Sequence, residues 1–85
     1  MKEFTHIITD PMGLHARPAA ALVKACAGYG CAITVACGTA RCDAKRLMAV
    51  MRLGAKNGTA LTITCDGADE DKAAAALQAF LADNL

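Results

Sequence analysis

Tryptophan is absent from this 85-residue sequence, and only 4% of its residues are aromatic. That scarcity excludes a core built on large rings. The 55% hydrophobic content, much of it alanine, has to pack as small aliphatic side chains, which suits helices lying close on a sheet. No run of like charge is present and the net charge is +1, so neither nucleic acid nor an anionic membrane is indicated as a partner. No segment is long and apolar enough to insert into a bilayer, and Met1-Lys2-Glu3-Phe4-Thr5-His6 lacks the apolar stretch of a signal peptide. A cytoplasmic location is the expectation.

Paired cysteine motifs are missing too. Cys26, Cys31, Cys37, Cys42 and Cys65 are odd in number, and their spacings of five, six, five and twenty-three residues contain no C-x-x-C pair. They read as small buried hydrophobes in a reducing compartment, with no metal site expected. Repeats, linkers and low-complexity segments are likewise absent, so residues 1–85 read as one domain at the small end of what folds unaided.

What is present is a series of short periodic segments. Phe4–Thr9 alternates with β-branched content and reads as a strand, with both faces part apolar. His6 lies mid-strand with no acidic or thiol neighbour at useful spacing, and reads as structural. Ala16, Ala19, Ala20, Val23, Cys26 and Ala27 recur at helical spacing, predicting a helix over Ala16–Ala27 with that face buried. Gly28-Tyr29-Gly30 ends it, with glycine at a left-handed cap. Cys31–Cys37 and Ala40–Asp43 read as strands joined by a tight turn at Gly38-Thr39. A brief helix near Arg46–Leu53 closes at Gly54, and Ala60–Cys65 alternates as a fourth strand. A last helix opens on Asp69, Glu70 and Asp71, which complement its dipole, and buries Ala73, Ala74, Leu77, Phe80 and Leu81. The order β-α-β-β-α-β-α fits either a two-layer α+β fold or a small parallel α/β sheet, and the tight hairpin favours antiparallel pairing.

The chemistry concentrates in Met12-Gly13-Leu14-His15-Ala16-Arg17-Pro18-Ala19-Ala20, between the turn signal Asp10-Pro11 and the first helix. Pro18 suits a first helical turn. His15 therefore stands at a helix start, where N–H groups without intrahelical acceptors and the positive end of the dipole favour an anion. A neutral imidazole there can attack phosphorus, the phosphoryl group would fall among the amides of Ala16 and Arg17, and Arg17 adds a forked cation.

The string Gly-Leu-His-Ala-Arg-Pro-Ala closely resembles the active-site signature of HPr, the histidine phosphocarrier family of the phosphoenolpyruvate-dependent sugar phosphotransferase system. Leu47–Gly54 resembles the second helix of Gram-positive members, and Thr62-Ile63-Thr64 with Gly67-Ala68-Asp69-Glu70 resembles their last strand and helix start. The resemblance implies an α+β open-faced β-sandwich: a four-stranded antiparallel sheet with three helices on one face. It implies a carrier, with no catalytic turnover of its own and no cofactor. His15 would take the phosphoryl group from phospho-enzyme I, assisted by Arg17, and pass it to enzyme IIA domains. Leu14, Ala20, Leu47, Met48 and Met51 would form the apolar docking patch, rimmed by Arg17, Lys24 and Arg52. One position departs from the pattern: Gram-positive members usually carry a regulatory serine where this chain has Arg46. An arginine there is no substrate for the serine-directed HPr kinase and is no helix cap. For the methionines, core packing is the competing reading. For the chain, the alternative is a regulatory or nitrogen-branch paralogue that acts mainly by binding other proteins. A shuttle that shows one face to successive partners is expected to be a monomer.

Overall fold

A computed structural model describes all residues, 1–85. Strand β1 (Lys2–Ile7) leads through an eight-residue loop to helix α1 (Ala16–Ala27). Strands β2 (Ala32–Cys37) and β3 (Ala40–Asp43) follow, then the short helix α2 (Leu47–Arg52), strand β4 (Ala60–Asp66) and helix α3 (Glu70–Asn84). The four strands form one antiparallel sheet in the order β1-β4-β2-β3. The architecture is the α+β sandwich expected of the resemblance.

Alternation divides the sheet. In β4, Leu61, Ile63 and Cys65 are buried while Thr62 and Thr64 face the open side. In β2, Ile33 and Val35 join the buried side; in β1 Phe4 and His6 point inward, as does Ile8 just past the strand's end, while Ile7 is exposed. The helices cover that inner face with Leu22 and Cys26 of α1, Val50 of α2, and Ala73, Leu77 and Leu81 of α3, none of them accessible to solvent. Burying a Leu or Ile side chain contributes roughly 1.5–3 kcal/mol, so this aliphatic set substitutes for the missing aromatics. No helix is long and apolar enough to cross a membrane.

Four details differ from the expectations. Strand β1 begins and ends two residues early, because Lys2 and Glu3 pair with Cys65 and Thr64 while Ile8 and Thr9 turn away to bond Thr59 and Leu85. Helix α1 buries Pro18, Ala19, Leu22 and Cys26, while Ala16, Ala20 and Ala27 are exposed. Alanine supports two stripes on such a helix, and the larger Leu22 and Pro18 decide which one packs. Gly28 is right-handed, with φ −74°, and gives its N–H to Ala25 in a tightened last turn. Ala74 and Phe80 lie half-buried at the border of the α3 stripe.

The thiols divide in the same way. Cys26, Cys31 and Cys65 are buried, but Cys37 and Cys42 are only half-buried, and all five are free. Burial pushes the Cys26 thiol up to about 12 and, with help from Asp69, the Cys31 thiol up to about 11. Protonated thiols of this kind pack as hydrophobes and are poor nucleophiles. No group of three or more His, Cys, Asp or Glu side chains is placed to hold a metal ion. His6 is half-buried in β1, and its Nε2 has no hydrogen-bond partner in the protein.

Candidate functional site

His15 is the N-cap of α1. Its backbone is extended, with φ −87° and ψ −177°, and its carbonyl accepts the N–H of Ala19 at 3.0 Å. No side chain caps the helix. Pro18 has no N–H to offer and Ala19 has spent its own, so the amides of Ala16 and Arg17 are the ones left without an intrahelical acceptor. The imidazole is 27% exposed, open enough for another protein to reach.

The loop that carries it is fixed at both edges. Gly13 sits at φ 67°, and an added Cβ would stand 2.5 Å from the carbonyl oxygen of Ala55 and 2.7 Å from Lys56 Cα. Only glycine accepts both the left-handed backbone and that approach. The Leu14 N–H donates to the same Ala55 oxygen at 2.9 Å, which ties the loop to the segment that follows α2. On the other edge, Thr9 and Asp10 donate their N–H groups to the Leu85 carbonyl, and Asn57 Nδ2 donates to the Thr9 carbonyl at 3.0 Å.

A family model described as the PTS HPr component phosphorylation site matches residues 2–83. The chain belongs to the HPr family. It is 40% identical over 83 residues to the phosphocarrier protein HPr of Mycoplasma capricolum subsp. capricolum, covering 98% of this chain and 93% of that one. A solved histidine-containing phosphocarrier protein from Mycoplasma superposes with a TM-score of 0.93 at 39% identity, over 96% of this chain and 93% of the other. The HPr-C-His structure from Thermoanaerobacter tengcongensis does so with a TM-score of 0.93 at 34% identity, over 99% and 94%.

Within this HPr-family framework the anticipated residues fall into two groups. Leu47, Met48 and Met51 are exposed on α2, Met48 by 64%, while Val50 of the same helix is fully buried. Helix α2 packs against α1, where Ala20 and Lys24 are exposed. Arg17, Lys24, Arg46 and Arg52 are exposed and take part in none of the three ion pairs. Arg46 stands at the N-cap of α2 and makes no side-chain capping bond, as expected of arginine there. Leu14 does not belong with this surface: it is 6% exposed and part of the core. The turn at Gly13 and the bond to Ala55 direct its side chain inward, which the apolar character of the residue could not disclose.

Asp10, in sequence only half of a turn signal, also belongs to the site. Asp10 Oδ2 lies 3.6 Å from His15 Nε2. Its position five residues before the histidine has no regular spacing to reveal it; the turn brings the two together. Beside this pair, Asp10, Arg17, Pro18, Ala21 and Asn84 line an open cleft of about 220 Å³. The larger hollow, about 460 Å³, lies near β2 and β3 and is lined by residues including Cys31, Arg41 and Lys45. It contains none of the anticipated site residues.

Proposed function

We propose that this HPr-family chain shuttles phosphoryl groups, with His15 as the acceptor. The group comes from the phosphohistidine of enzyme I, itself charged by phosphoenolpyruvate, and goes to a histidine on enzyme IIA domains of sugar permeases. The observation that carries this reading is the half-exposed His15 imidazole at a helix start whose Ala16 and Arg17 amides lack intrahelical acceptors. Those amides and the Arg17 guanidinium offer charge-assisted donors to a phosphoryl group on the ring. The setting is open and shallow, which suits a group that must be released again.

Docking on this reading uses Ala20, Leu47, Met48 and Met51, with Arg17, Lys24 and Arg52 as the charged rim. Flexible methionine side chains adapt to unlike partners. The protein works in the cytoplasm as a monomer and needs no cofactor. Incubation with enzyme I and labelled phosphoenolpyruvate should load the chain, and addition of an enzyme IIA domain should discharge it. A chain that loads but never discharges to any enzyme IIA domain would favour the regulatory paralogue instead.

A further inference from the structure

Asp10 is held from several directions. Its Oδ1 accepts the Met12 N–H at 2.8 Å, and its own N–H donates to the Leu85 carbonyl at 3.1 Å. Its carbonyl accepts the Gly13 N–H at 2.9 Å and Asn57 Nδ2 at 3.4 Å. One carboxylate oxygen is left over, and that is Oδ2, 3.6 Å from His15 Nε2 with the Asp10 side chain only 22% exposed. The separation is just beyond hydrogen-bond length, and a shift of the ring by a few tenths of an ångström closes it.

We propose that Asp10 is a positioning residue that keeps the ring proton on Nε2 and thereby leaves the Nδ1 lone pair as the nucleophile. The inference rests on the reading of His15 as the phosphoryl acceptor. An ionised carboxylate only accepts, so the nitrogen facing it must carry hydrogen, and the hydrogen on one ring nitrogen decides the state of the other. Nδ1 attacks the phosphorus of the donor phosphohistidine. The Nδ1–P bond forms as the donor's N–P bond breaks, and that electron pair returns to the donor nitrogen. The Nε2 proton stays where it is, and the phosphorylated ring, now an imidazolium, faces the Asp10 carboxylate. On discharge the Nδ1–P electron pair returns to Nδ1.

Asp10→Asn makes a sharp test. If the amide oxygen keeps the Met12 N–H, the NH₂ group is presented to Nε2 and demands a lone pair there, which moves the ring proton to Nδ1. Holding a histidine in the wrong tautomer costs about 10⁴-fold in a buried triad. At this half-exposed site phosphoryl uptake should fall about tenfold or more, within that bound. The ¹⁵N resonances of His15, recorded where the ring is neutral, should show Nε2–H in the wild type and a predominance of Nδ1–H in Asp10→Asn. Asp10→Glu should restore the Nε2–H form and most of the uptake. An Nδ1–H ring in the wild type overturns the proposal whether or not the variant folds, as does an Asp10→Asn protein with unchanged tautomer and uptake. A wild-type chain that takes no label would contradict the phosphocarrier reading, and the tautomer measurement would still decide the role of Asp10.

Discussion

The Leu14 N–H and the Ala55 carbonyl are joined at 2.9 Å, and this one bond fastens the histidine loop to the chain leaving α2. The approach is possible because Gly13, at φ 67°, has no side chain to strike that carbonyl. Gly13→Ala should cost about 1–3 kcal/mol, from the left-handed backbone and the clash together. Because the damage is local to the loop, phosphoryl uptake should fall further than stability alone explains. Denaturant unfolding and initial uptake rates, measured on the same preparation, give both quantities.

Leu14 and Met48 should respond in opposite ways. Leu14 is core, so Leu14→Ala is expected to destabilise by about 2–5 kcal/mol. Met48 is 64% exposed, so Met48→Glu should change stability by no more than about 0.5 kcal/mol. If Met48 is a docking anchor, the same substitution weakens association with enzyme I by about 1 kcal/mol or more. Met51→Glu, at 38% exposure, should follow Met48. Melting temperatures beside enzyme I titrations separate the two effects, and a collapse of the Met48→Glu fold would return that residue to the core.

Acid stability should depend on Asp69. Its carboxylate accepts the N–H groups of Gly30 and Cys31 at 2.9 and 3.0 Å, tying the start of α3 to the turn before β2. The Gly30 N–H, then the Cys31 thiol, hold its carboxyl below the ordinary value of 3.8. A carboxylate with a depressed value in the folded state stabilises fully above its unfolded value, and the contribution is lost as pH falls through the folded one. Asp69→Asn should therefore lower stability at neutral pH and flatten the decline below about pH 4. Unfolding curves from pH 7 to pH 2 check the slope; an unchanged acid limb would remove Asp69 from the account.

Regulation by serine phosphorylation should be missing at α2. Arg46 occupies the N-cap, so treatment with an HPr serine kinase and ATP should leave that position unmodified in mass spectra. Phosphate on Thr39, which lies exposed in the β2–β3 turn, would show a different acceptor for the kinase.

Local signals account for what could be read from the chain. The Ala16–Ala27 helix and the Ala40–Asp43 strand have the expected bounds, because a proline in the first turn and glycines at the turns punctuate them. The histidine's place at a helix start was legible for the same reason. Contacts between distant segments were not. The order β1-β4-β2-β3, the early start of β1 opposite Cys65, and the inward turn of Leu14 toward Ala55 each depend on partners distant in the sequence or on backbone geometry. Asp10 has no sequence signal of its own, because a turn, with no fixed period, carries its carboxylate back to the histidine.

The central claim is that one side chain, His15, carries the phosphoryl group. Incubation with enzyme I and labelled phosphoenolpyruvate, followed by peptide mapping under alkaline conditions, tests it most directly. The account predicts a single acid-labile, base-stable adduct at His15, none at His6, and no labelling of a folded His15→Ala protein. Label that persists on His15→Ala, or that maps to His6, would contradict it.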